Sequence, residues 1–560
     1  MTEDGNRAYR ILRAVIMVCF FIPAAFITML GLFSTCHITS AYNEAHYFVD
    51  ARGWPVLLFF ALFLALLWLL RRCGAADWLA SHKLGAARTI IAVMFAAGVG
   101  LVAAAQVVPG ADQQMVVSIA ARFRAGDYSD LLRGGYLYRY PHQIGLMWFY
   151  YLTSFICGSG NTIFWQLCNA AALAGGVWFF ARTAELFFPR PWMLPAAAGC
   201  CCLFLPLTFY TTFNYGTLYG FCASSAAFYC LARRLDGGGW KYAAGMALLA
   251  ALAVLLKQNY MIAAAAMAVV LLLEAVKRKK AAPLLEIAVL LAAVWLLGEA
   301  ALGAASAVSG RPIPEGMPKS AWVMMGLQES RRGPGWYNAE TVELFGNMGD
   351  DPAATDAAAR REIAIRLKTF AADPGYAMQF FAKKISSQWD EPTFQCFWIS
   401  SVRTSFASSP QFIKNLLAGD LSAALERYLR VYELFVLLGA LGYVLTGRRE
   451  ARTGALLFAV TFVGGFLFHI VWEAKGEYTL TYFVMLMPLA LEGWAELAVL
   501  PERLARAEGP MGKKLLRPAL TLALAAVLLI HPAFVRNTLG LSCDNETYHQ
   551  LVSDGAGEIG

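Results

Sequence analysis

Residues 143–157 read QIGLMWFYYLTSFIC, and the reading of this segment decides the topology of the whole chain. The segment is apolar, but its length as a helix is only about 22 Å. Crossing the hydrocarbon core takes about 30 Å, or about 20 residues. Counting it as a full crossing would invert every later loop. It would also put Lys277, Arg278, Lys279 and Lys280 on the side opposite the other cations. The segment therefore reads as an in-plane or half-inserted helix on the outer face.

Around it lie the apolar runs 11–33, 54–70, 89–108, 161–181, 192–211, 216–232, 240–256, 258–275, 284–308, 428–446, 453–471, 479–497 and 516–536. Of the 560 residues, 59% are hydrophobic and only 15% charged, against about a quarter charged in a soluble chain. The first run is long and lacks an A-x-A site, so it reads as an anchor behind Arg7, Arg10 and Arg13 rather than a cleaved signal. With the N-terminus cytoplasmic, alternate loops collect the cations. These are Arg71, Arg72, Lys83 and Arg88; Arg182 and Arg190; Arg233, Arg234 and Lys241; Lys277 to Lys280; Arg448, Arg449 and Arg452; and Arg503, Arg506, Lys513, Lys514 and Arg517. The net charge of +8 thus falls at helix ends, not on one basic face, which argues against a nucleic-acid partner.

The expected fold is an all-α polytopic membrane protein of about thirteen transmembrane helices, with an extracytoplasmic α-rich or α/β soluble domain in a long loop. Two N-terminal helices occupy 1–88. A transmembrane core occupies 89–308, with its first outer loop at 109–160. The soluble loop domain is 309–427, the C-terminal helices 428–536, and an extracytoplasmic tail 537–560. In the loop domain, 354–383 reads as a helix pair broken at Pro374. The twelve cysteines form no metal framework. Cys36, Cys396 and Cys543 face outward, and their spacing does not say whether any two are bridged.

Two outer segments carry candidate chemistry. In 109–142, Met115, Val116, Ile119, Ala120 and Phe123 have helical spacing, so 112–124 reads as an amphipathic surface helix. Asp112 opens it and can act as general base for a hydroxyl acceptor, or simply cap the helix. Tyr138-Arg139-Tyr140-Pro141-His142-Gln143 follows, directly before the short helix. In 309–427, Asp390 and Glu391 lie between Trp389 and Phe394, a setting that suits sugar recognition or loop packing. Trp336 belongs to a second aromatic stretch that could line an acceptor.

This pattern resembles the GT-C membrane glycosyltransferases, in particular the protein O-mannosyltransferase and aminoarabinose-transferase group. The group's acidic pair after a first span matches Asp112, with Gln113 in place of the second acid. Its surface-helix run matches AARFRAGDY (120–128), and its proline step matches YPHQIGL (140–146). Its Lys near the donor phosphate matches Lys257 in LLKQNYMI, where Gln258-Asn259 stand in place of Gly-Pro. Its late basic residue and Tyr match Lys475 and Tyr478 in EAKGEYTLTYF. The resemblance implies Asp112 as the catalytic base, and Lys257, Arg139, His142, Lys475 and Tyr478 around the donor phosphate. Gln113, Tyr138, Trp336, Asp390 and Glu391 are left for acceptor or sugar.

Physical reasoning leads to the same residues. A lipid-phosphate sugar needs cations at membrane depth on the outer side, where cations are the minority. Lys257, Arg139, His142 and Lys475 all fall on outer turns. Each also has a plain reading as a snorkelling side chain, an interfacial-belt residue or a structural histidine. The expected activity is transfer of a sugar, with inversion, from a polyprenyl-phosphate donor to a cell-envelope polymer, lipid or protein. The expected setting is a bacterial plasma membrane, with the C-terminus outside. No cofactor is expected, and nothing calls for a divalent metal. A polymer ligase using a diphosphate lipid, or a lipid or solute transporter, are the rival readings.

Overall fold

The computed structural model describes residues 7–38, 44–51, 53–401, 409–446, 452–506, 535 and 537–540. Eight of its helices are long and apolar enough to cross a membrane: Arg7–Phe33, Pro55–Arg72, Lys83–Ala105, Thr162–Phe187, Gln258–Arg278, Ala282–Ser309, Asp420–Thr446 and Thr453–Val471. Two more candidates are bent pairs, Met193–Leu203 with Leu205–Thr212 at 67° and Gly476–Val484 with Leu486–Leu500 at 46°. The protein is therefore an all-α polytopic membrane protein. Most of the run at 516–536, and 541–560 with Cys543, lie outside the described residues.

The helices bring their turns to two opposite ends. At one end the cations are paired across helices. Lys83 meets Glu185 at 2.7 Å, and Arg234 meets Glu286 at 2.7 Å. Arg452 meets Asp236 at 3.1 Å, and Arg190 meets Glu492 at 2.8 Å. The other end holds the turns at 106–110, 213–216, 257–260 and 472–476. It also holds the short helix Ile144–Cys157. Both flanks of that helix meet one turn. Gln143 Nε2 donates to the Tyr215 hydroxyl at 2.7 Å, and Asn214 Nδ2 donates to the Thr162 carbonyl at 3.3 Å. Ile144–Cys157 thus leaves and rejoins the same end, as its length requires.

A two-stranded antiparallel hairpin, Ser34–Ile38 with His46–Asp50, follows the first helix. The expected helix pair is present as Pro352–Ala372 and Pro374–Trp389. Asp351 and Asp373 cap the two helices through their side chains, and each has a proline just inside. Within 309–427 the core is divided. Met317, Ala321 and Phe345 form one small cluster, and Leu327, Phe370 and Phe380 another. The stretch from Ala382 to Ile399 instead joins the main core, where Trp389 packs on Phe462 and Phe466.

Candidate functional site

The site is built where three turns meet. Helix Ala111–Arg124 buries Val116, Val117, Ile119, Ala120 and Phe123 against the neighbouring short helix and leaves Asp112 exposed. Gly110, not Asp112, occupies the capping position. Asp112 sits in the first turn, where the helix dipole favours a carboxylate. Ala111 before it has φ +46°, a left-handed setting that is costly for a residue with a Cβ.

The second turn carries Tyr215. Its hydroxyl donates to Asp112 Oδ2 at 3.3 Å. Gln113 fixes this turn, since its amide oxygen accepts the Asn214 N–H at 2.8 Å. Burial and the Asp112 charge push the Tyr136 phenol well up.

The third turn carries Lys257. Gly216, at φ +79°, lies so close that a Cβ there would fall 2.3 Å from the Leu256 carbonyl. A Cβ on Gly145 would fall 2.1 Å from the Leu255 carbonyl. Two glycines thus let neighbouring elements close onto the backbone just before Lys257. The Lys257 ammonium stands 3.9 Å from the Tyr215 ring centre, 5.7 Å from that of Tyr478 and 5.9 Å from that of Phe213. Its nitrogen is buried and has no hydrogen-bond acceptor. The Glu477 carboxylate stands off at 4.0 Å. Burial pulls this lysine down to about 8, with Glu477 opposing the shift.

Lys475 and Glu477 join Gly110, Asp112, Gln113 and Tyr215 around a cavity of about 30 Å³, enough for about one water. Glu473, one turn earlier, accepts from the Tyr478 hydroxyl at 3.5 Å. Burial raises its carboxyl to about 7; Lys475 opposes the rise and Asp112 adds to it.

Among the expected residues, Asp112, Gln113, Lys257, Lys475 and Tyr478 therefore come together. His142 and Arg139 lie along the rim. His142 packs edge-on against Tyr140 and Trp322, and the Arg139 guanidinium donates to the Gly134 carbonyl at 2.9 Å. Four expected acceptor residues face other partners. The Tyr138 hydroxyl turns to the Asp350 carbonyl at 3.4 Å. Trp336 is 1% exposed, with its indole on Ser387 at 2.8 Å and its ring 4.0 Å from that of His46. Asp390 accepts from Ser386 at 2.9 Å and Ser34 at 3.3 Å. Glu391 accepts from the Thr393 hydroxyl and the Gln395 N–H, at 2.5 and 2.7 Å. Burial raises Asp390 to about 8 and Glu391 to about 7.

Sequence reasoning did not single out Tyr136, Tyr215, Glu473 or Glu477 for the site. The pattern E-x-K-x-E around Lys475 was the available signal for the two glutamates. Among the described residues, no three His, Cys, Asp or Glu side chains converge as a metal-ligand set. Chemically, the arrangement offers an exposed carboxylate, a phenol that relays a hydrogen bond to it from Gln143, and a buried cation one tyrosine ring away. No protein-family model matches this chain, and no curated protein matches it.

Proposed function

We propose that the protein is a membrane glycosyltransferase that moves a sugar from a polyprenyl-phosphate donor to a hydroxyl of an extracytoplasmic acceptor. The observation that carries this reading is Lys257. A buried ammonium with no acceptor of its own, sharing Tyr215 with an exposed carboxylate, suits an incoming phosphate.

In this mechanism Asp112 takes the proton from the acceptor hydroxyl. The freed oxygen attacks the anomeric carbon, whose bond to the phosphate oxygen breaks. The carbon inverts, and the lipid phosphate leaves with the electron pair, its charge offset by Lys257 and Lys475. Donors placed where charge develops are often the largest catalytic contribution. The one-water cavity at Asp112 implies that the donor opens the site as it docks.

Among the described residues, eight candidate spans and two bent pairs, with the helices Thr217–Leu235 and Trp240–Leu256 completing the alternation of ends, support the reading of the membrane topology. The Arg-rich end is then cytoplasmic, and the Asp112 end faces outward across a bacterial plasma membrane. On this reading 309–427 is extracytoplasmic. Cysteine labelling in intact cells tests the orientation: label at position 139 and none at 278 is expected.

The direct test is reconstitution with radiolabelled polyprenyl-phosphate sugars. Asp112→Asn is expected to lower transfer about 100- to 10,000-fold. Equal transfer by that variant removes Asp112 as the base. A diphosphate-linked donor used in preference would reassign the protein as a polymer ligase.

One observation favours a second reading, a transporter. Asp390 and Glu433 are 1% and 2% exposed, and each keeps a buried carboxylate oxygen without a hydrogen-bond partner. Glu433 lies within the candidate span Asp420–Thr446, and buried carboxylates inside spans mark proton pathways. Solute movement in proteoliposomes under a pH gradient, with no sugar transfer, would establish this alternative.

A further inference from the structure

A cavity of about 540 Å³ lies at the Arg-rich end, away from Asp112. One wall is the helix Trp54–Arg72, and its packing fades along a single face. Val56 and Phe60 are buried against Leu32, Leu434 and Trp494. Phe63 and Leu67 are half-buried, and Leu70 is 43% exposed. The inner face of this helix therefore loses its protein partner where the cavity begins.

The opposite wall is one face of Leu486–Arg506, from Leu491 through Trp494 and Ala498 to Glu502. That face runs about 16 Å along the helix axis. The floor is aromatic, with Phe435 stacked on Trp494 at 5.4 Å. The mouth is polar: the Arg71 guanidinium lies 3.8 Å from the Glu502 carboxylate, and both are partly exposed. Arg190 also lines the cavity, but its guanidinium is taken by Glu492 and Glu496.

We infer that this cavity holds an acyl chain of a bilayer phospholipid, with the phosphate on Arg71 and the amine of a zwitterionic head on Glu502. The cavity is open on one side, so its surroundings fill it, and water gains little from an apolar lining. Leu58, Phe59, Leu62 and Leu66 on the outer face of the same helix are exposed, so the wedge opens toward lipid. The loosely paired Arg71 and Glu502 form a neutral mouth with separated charges, which complements an ammonium and a phosphate carried on one head. Nothing in this inference depends on sugar transfer.

Native mass spectrometry of the full-length protein tests it, after delipidation and return of either phosphatidylethanolamine or phosphatidylglycerol. Wild type is expected to retain one phosphatidylethanolamine per chain, at least tenfold more than phosphatidylglycerol. Ala498→Trp and Leu79→Trp, at two residues that line the cavity, the second on the short helix Ala75–Ser81, are expected to remove that lipid without lowering the melting temperature. Glu502→Gln is expected to erase the preference between heads. Retention of neither lipid by wild type, or equal retention of both, overturns the inference. So does a photo-crosslinker at position 498 that captures residues 516–536 instead of lipid.

Discussion

Two buried lysines in different parts of the molecule have opposite surroundings. Lys384, 0% exposed, lies under the loop at 326–335. It donates to the carbonyls of Gly326, Ile470 and Trp472, the latter two at 2.9 and 2.8 Å. It works as a strut, closing the end of Thr453–Val471 against the long loop. Lys257 has ring faces around it and no acceptor. Burial lowers both, Lys384 to about 7 and Lys257 to about 8. The shift in titration therefore does not distinguish them; the hydrogen bonds do. A buried polar group with all its bonds made belongs to the fold, and one without them is a place for something else.

The sharpest way to break this comparison is Lys257→Met. Transfer is expected to fall about 100- to 1,000-fold, as for the loss of one preorganised donor. The melting temperature is expected to change little, because the burial cost of the ammonium is relieved while Glu477 loses a cation 4.0 Å away. A melting temperature that falls would make Lys257 a second strut. Lys384→Met strands three carbonyls and is expected to cost about 3 kcal/mol of stability, read by denaturant unfolding. The surviving folded protein should transfer normally.

The third effect is in pH. Above the value of about 8 for Lys257, the ammonium loses its charge, so kcat/KM for the donor is expected to fall about tenfold per pH unit. Lys257→Arg should abolish that alkaline limb; a limb that stays assigns it to another group. The smallest effect is at Glu473, whose carboxyl is raised from 4.5 to about 7 by burial. The native state keeps a proton there that the unfolded chain releases, so stability should fall as pH rises through that window. Glu473→Gln should flatten the slope and raise stability at pH 7.5. An unchanged slope in thermal melts would show that Glu473 does not cause it.

Much of this frame is legible in the sequence because hydrocarbon thickness and loop charge act on local runs of residues. The span-length reading of 143–157 needs only fifteen letters, and the helix break at Pro374 only one. Asp112, Lys257, Lys475 and Tyr478 lie on turns next to apolar runs, so alternation alone assigns them to one end. Side-chain direction is not legible in this way. Trp389-Asp390-Glu391 reads as a sugar-binding stretch of a soluble loop, yet Trp389 packs on two phenylalanines of a long apolar helix. Trp336 is likewise fixed by His46 and Ser387, residues far from it in sequence. Tyr215 has no site role legible in the sequence, because that role rests on meeting Gln143 and Asp112, which no local pattern encodes.

The empty coordination of Lys257 also bears on turnover. Under the proposed function the loaded donor would be a phosphodiester with one negative charge, and the spent carrier a monoester with a charge of about −1.5 to −2 near pH 7. A cation short of partners grips the second more firmly than the first. Escape of the used lipid, rather than making the new glycosidic bond, should then pace the cycle, and added polyprenyl phosphate should be a strong product inhibitor.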